Sequence, residues 1–275
     1  MENSKVSDYI LKFDLSSYSI LEGFARRANQ ENNLGDKGDW LIQFLNGLEG
    51  MRARILGVII HYFEIHSWEL VKPTGANHYL AEFEIYRTTE YHLSTILFNM
   101  DSAIECMVFM INALGYAVDQ SKFRDVANPE ELRRINPRNI LSDEEKCGVS
   151  GYTNYFPSLR NYWLENQDLI YKIAEGHDVS KHRSAIFEGG RRRTDPPVGF
   201  FEKLGITDNG LQIVFSPFAE IILPSEPKIP WRQRKHTEYE DIVNLEDVAK
   251  KFQTFINTCG VKIMEDAKKN IKSVN

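Results

Sequence analysis

Residues 78–117 read HYLAEFEIYRTTEYHLSTILFNMDSAIECMVFMINALGYA. The stretch holds no proline, and its one glycine, Gly115, comes at the end. Leu80, Phe83, Tyr86, Tyr91, Ile96, Met100, Ile104, Met107, Met110, Ile111 and Leu114 recur mostly at helical spacing, which predicts a single amphipathic helix. At 1.5 Å per residue, some 38 residues span about 57 Å. A helix of that length is usually the spine of a bundle, and the Met-rich part CMVFMINAL is expected on its buried face.

The segments on either side read as helices too. In DWLIQFLNGLEGMRARILGVIIHYFEIHSWEL, residues Trp40, Leu41, Phe44, Leu48, Met51, Ile55, Val58 and Ile59 line one face. Gly47, Gly50 and Gly57 interrupt it, and predict either a break or a close helix contact. The KPTGAN segment ends it. Upstream, SSYSILEGFARRANQ reads as a short helix with Ser16 or Ser17 as its cap. Downstream, VANPEELRRINPRNILSDEEKCGVSGY is a polar connector with one short helical piece. Then YFPSLRNYWLENQDLIYKIAEGHDVSKHRSAIFEGG resumes the helical pattern, with Gly176 a place for a bend or an interruption. LQIVFSPFAEIILPSEPKIP is rich in Ile, Val and Phe and cut by proline. It predicts a small β-hairpin at about 211–223. NLEDVAKKFQTFINTCGVKIMEDAKKNIKSV, residues 244–274, returns to helix, with Leu245, Val248, Phe252, Phe255, Ile256, Val261 and Ile263 on one face. The expected fold is therefore mainly α: an N-terminal helical extension over 1–75, and a helical bundle over 76–275 that includes the β element.

Composition narrows the function. Hydrophobic residues make up 42% and charged residues 26%, as in a globular chain. The net charge of −6 argues against an overall electrostatic grip on duplex DNA. Cys106, Cys147 and Cys259 are far apart with no metal-type spacing, which suggests reduced thiols. No secretory leader and no membrane span are expected, so the expected setting is the cytoplasm. P-loop, dinucleotide-binding and nucleophile-elbow motifs are missing. His61 and His66 in HYFEIH are five apart, which turns them about 140° from one another on a helix. His92, near Glu90, has no second partner in its own segment. No metal and no cofactor are expected.

The segment HDVSKHRSAIFEGGRRR, residues 177–193, gathers the chemistry. If it is helical, Asp178 and His182 stand at i and i+4 and can pair, and a carboxylate beside a histidine fixes its orientation. Lys181, Arg183, Arg191, Arg192 and Arg193 add cations suited to phosphate. WRQRKH adds a second basic run that carries an aromatic residue.

The order of a long helix, a connector, a helix ending in an acid-then-KHR segment and a last helix resembles the HEPN superfamily of all-α proteins. The resemblance covers about residues 78–190 and the terminal helix. The family's signature is an arginine, a polar residue, a short gap and a histidine. His177, Asp178 and His182 occupy those places here. In active members the resemblance implies metal-independent RNA cleavage at a homodimer interface. There the histidine moves a proton and the arginine steadies phosphate charge. His177 stands in the arginine's slot. The resemblance with this departure implies a HEPN-like homodimer that binds RNA, a nucleotide or a protein without catalysis. The alternatives are a metal-independent ribonuclease, with His182 as acid–base group helped by His177 and Asp178, and a purely structural or interaction protein.

Overall fold

The computed structural model describes residues 10–31, 39–69, 78–142, 149–182 and 245–270; the side chains of 67–69, 78–90, 179, 181 and 182 are not among those described. Every regular element among the described residues is helical. These are α1 (Ser16–Glu31), α2 (Trp40–Glu69), α3 (His78–Val118), α4 (Pro129–Leu132), α5 (Arg138–Leu141), α6 (Gly151–Tyr155), α7 (Pro157–Glu165), α8 (Gln167–His182) and α9 (Leu245–Asn270). The mainly α helical bundle expected from periodicity is the fold. The expected β element at 211–223 lies outside the described residues.

The 41-residue α3 is the spine. Ile96, Met100, Ile104, Met107, Met110, Ile111 and Leu114 are all buried. By length and composition, Tyr91–Val118 could also cross a membrane. Here its apolar side is packed inside the bundle. α2 runs antiparallel along α3: Gly47 meets Cys106 and Met110, Gly57 meets Asn99, and His61 meets His92.

The glycines of α2 do not break it. They let the two backbones approach. A Cβ on Gly47 would lie 2.9 Å from the Cys106 carbonyl oxygen and 2.9 Å from the Met110 amide nitrogen. Neither atom can move without shifting α3 itself. Of the two outcomes open at these positions, close packing is the one realised.

The remaining helices close the core. α1 lies on α9, and the buried Tyr18 hydroxyl donates to the Ile256 carbonyl at 2.8 Å. At the start of α1, the Ser16 N–H donates to the Asp14 carboxylate. The acid takes the capping role that Ser16 or Ser17 was expected to play. Buried Asn112 exchanges two hydrogen bonds with the Arg124 backbone, at 2.9 and 3.0 Å, and so pins the chain as it leaves α3. The second helical stretch is divided at Phe156 and Asn166, not at Gly176. Gly176 sits inside continuous α8, against Leu97 of α3. Its missing side chain serves helix contact there, and the helix runs through it without interruption.

The end of the chain holds α7. Its flanking Phe156 offers no side-chain cap. Fully buried Asp266 of α9 instead accepts the Leu159 N–H at 3.0 Å. A carboxylate there also faces the positive end of the helix dipole.

Two alanine substitutions separate close packing from ordinary glycine cost. Gly47→Ala should lower unfolding free energy by about 1–3 kcal/mol through overpacking. Gly23→Ala, whose new methyl would meet only the Arg27 side chain at 3.7 Å, should raise it by about 0.5–1 kcal/mol. Urea unfolding of both variants checks the pair of signs.

Candidate functional site

The contact of Gly176 with Leu97 brings the C-terminal half of α8 close to α3. His177 then reaches Asp101, with Nδ1 and Oδ2 2.7 Å apart. The two side chains are only 13% and 14% exposed, so water contributes little to solvating either. An ionised carboxylate can only accept, so the imidazole donates from Nδ1. That fixes the ring orientation and leaves Nε2 as its second polar atom. One turn away, the Ser180 hydroxyl donates to the His177 carbonyl at 2.9 Å.

Phe98 stands three residues before Asp101, on the same face of α3. Its ring meets the His177 ring edge to face, with centroids 5.2 Å apart. The Arg54 guanidinium of α2 lies over the Phe98 ring, 4.9 Å from its centroid. Phe98 is 37% exposed. Three helices thus supply one cluster: a cation on an aromatic ring, an imidazole against the ring edge, and a carboxylate behind the imidazole. An exposed aromatic with a guanidinium suits a flat, electron-rich or anionic group. The oriented imidazole is an arrangement in which a proton could also be moved.

A second cluster lies farther along the α2–α3 seam. His61 Nδ1 and His92 Nδ1 are 2.7 Å apart. One ring must carry its proton on Nδ1 and donate it to the other. Burial lowers the proton affinity of both rings. The positive charge of a protonated His61 lowers that of His92 further, and Glu64 opposes the shift in both. The exposed Tyr91 ring is edge-on to both imidazoles. His66, the other histidine of HYFEIH, is buried and points elsewhere. Its Nδ1 faces the Tyr62 carbonyl at 3.1 Å, and its ring lies against the Tyr62 ring.

Of the residues singled out in 177–193, His177 and Asp178 have described side chains. His177 pairs with Asp101, and Asp178 is exposed on α8. Lys181 and His182 belong to the last turn of α8, as the helical spacing required. Their side chains lie outside the description, and with them the expected Asp178–His182 pair. Arg183, Arg191, Arg192 and Arg193 also fall outside the described residues. Sequence reasoning missed Arg54, Phe98 and Asp101. The available signal was Asp101 itself, an acid set among the apolar residues of a core helix. Cys259 is buried and Cys106 partly buried. Burial raises both thiols, so neither is a ready nucleophile at neutral pH.

No protein-family model, curated protein or solved structure matches this chain. The site is therefore read from its own geometry.

The Asp101–His177 pair should behave as a coupled unit. Asp101→Asn and His177→Gln should each cost about 1–3 kcal/mol, because each leaves a largely buried polar partner poorly satisfied. The double variant should cost clearly less than the sum. A denaturation double-mutant cycle checks this, and additive losses would dissolve the pair as an energetic unit.

Proposed function

We propose that this chain is a HEPN-like protein that binds single-stranded RNA or a nucleotide without cleaving it, and that Arg54, Phe98 and His177 form part of the binding face. The observation that carries the reading is the bond from His177 to Asp101. In the motif this chain resembles, the position of His177 belongs to an arginine that is free to hold phosphate. Here the side chain is an imidazole tied into the α3–α8 contact. What remains for a ligand is a stacking surface at Phe98 and the cation of Arg54 beside it. The basic segments at 181–183 and 191–193 supply further phosphate contacts in this reading. The net charge of −6 keeps the affinity modest and dependent on salt. A homodimer in the cytoplasm belongs to the same proposal and rests on the resemblance.

One observation favours the catalytic alternative. A carboxylate that fixes an imidazole through Nδ1 is also how a general base is oriented. In that reading His177 and His182 divide the acid and base roles, and Arg54 stands near the phosphate.

A labelled single-stranded RNA in EDTA separates the two. The proposal expects binding that weakens steeply with added salt, a several-fold loss of affinity in Phe98→Ala, and an intact RNA after prolonged incubation. Replacing Arg191, Arg192 and Arg193 with alanine should flatten the salt dependence. Metal-independent cleavage that disappears in His182→Ala or His177→Ala, with the helical content kept, would establish the catalytic reading instead. Light scattering should report twice the chain mass.

A further inference from the structure

The geometry points to a binding site for a divalent transition-metal ion of the Cu2+ or Ni2+ class, formed by His61 of α2 and His92 of α3. The argument starts with convergence. Two imidazole Nδ1 atoms from different helices lie 2.7 Å apart, with ring centroids at 5.0 Å and planes inclined at 45°. Two metal–nitrogen bonds of about 2.0–2.1 Å hold their nitrogens about 2.9 Å apart at a right angle, and about 3.4 Å apart at a tetrahedral angle. The observed separation is close to the right-angle value. A small opening of the two side chains would make them neighbouring ligands of a tetragonal ion. Tetragonal nitrogen coordination is the preference of Cu2+ and Ni2+, and Cu2+ also binds most strongly in the first-row series.

The surroundings suit a cation. The imidazole is a metal ligand when neutral. Glu64, one turn beyond His61, bears its negative charge on both rings. Both histidines keep partial exposure and the neighbouring Tyr91 is 61% exposed, so an ion can reach the pair from solvent. No group of three His, Cys, Asp or Glu side chains converges among the described residues. Among the described residues two nitrogens converge, and Glu64 acts through its charge.

The proton balance is simple. As the rings stand, one Nδ1 proton lies between two nitrogens. Binding needs both Nδ1 lone pairs, so the donor ring keeps its proton on Nε2. If the pair carries an extra proton, that proton is released.

The test uses the whole chain and Cu2+ alone. One equivalent of Cu2+ should give an electron paramagnetic resonance spectrum with hyperfine structure from two imidazole nitrogens. That signal should be lost in His61→Ala and in His92→Ala. His61→Asn and His92→Asn keep a polar side chain at the pair and serve if an alanine variant fails to fold. As an independent readout, Ni2+ should raise the melting temperature of the wild type and leave the variants unmoved. A two-nitrogen signal that survives both substitutions would overturn the site. So would binding through other histidines, or no saturable binding at tens of micromolar ion.

Discussion

The bundle depends on how closely α2 and α3 approach. Gly47, Gly50 and Gly57 present bare backbone to α3, and their missing side chains leave room only for Cys106, Met110 and Asn99. Contact at that distance fixes the register of two long antiparallel helices, since sliding either one would press a larger side chain into the other's backbone. Both polar clusters follow from that register. It sets Arg54 over Phe98 and His61 against His92. Dispersion between such surfaces is small per atom and large in sum, so the seam needs no polar bond along its centre.

The other helices build on that hairpin through a few buried polar contacts. Tyr18 ties α1 to α9, Asn112 ties the end of α3 to the connector, and Asp266 closes the start of α7. Asp101 does the same for α8, through His177. Each is a buried or nearly buried group, and all but Asn112, which bonds Arg124 twelve residues on, meet a partner far away in sequence. Losing one partner would leave the other desolvated, which costs more than the bond's net contribution. The Asp101–His177 bond differs in having an exposed aromatic and a guanidinium beside it. That makes it the place where the fold meets the proposed binding face.

The helices were legible in the sequence because each buries most of its described apolar face, although Tyr91 and Val261, counted on those faces, are exposed. Leu80 to Leu114, Trp40 to Ile59 and Leu245 to Ile263 keep helical spacing over many turns, and α3, α2 and α9 stand where those runs predict. The role of the glycines was half legible. Periodicity could say that Gly47, Gly50 and Gly57 are exceptional, but only the neighbouring helix decides between a break and a contact. At Gly176 the same ambiguity left a bend or an interruption open; α8 is uninterrupted there, and the missing side chain makes room for Leu97 of α3. The site was less legible. Spacing arguments test partners within one helix, as for Asp178 with His182 or His61 with His66. The partners that form are Asp101 with His177 and His61 with His92, and both cross between helices. No local pattern announces such pairs.

The glycine seam can be measured directly. A Cβ on Gly50 would lie 2.9 Å from Cys106 Sγ and 3.7 Å from Cys106 Cβ. A disulfide holds its two Cβ atoms about 3.5–4.5 Å apart, so Gly50→Cys should form a bridge to Cys106 with little rearrangement. After mild oxidation, peptide mass mapping should find position 50 joined to Cys106, with Cys147 and Cys259 still free. The oxidised variant should melt higher than its reduced form, since a native cross-link typically adds about 2–4 kcal/mol. Two thiols that stay reduced, or a bridge from position 50 to a different cysteine, would contradict the register on which both clusters rest.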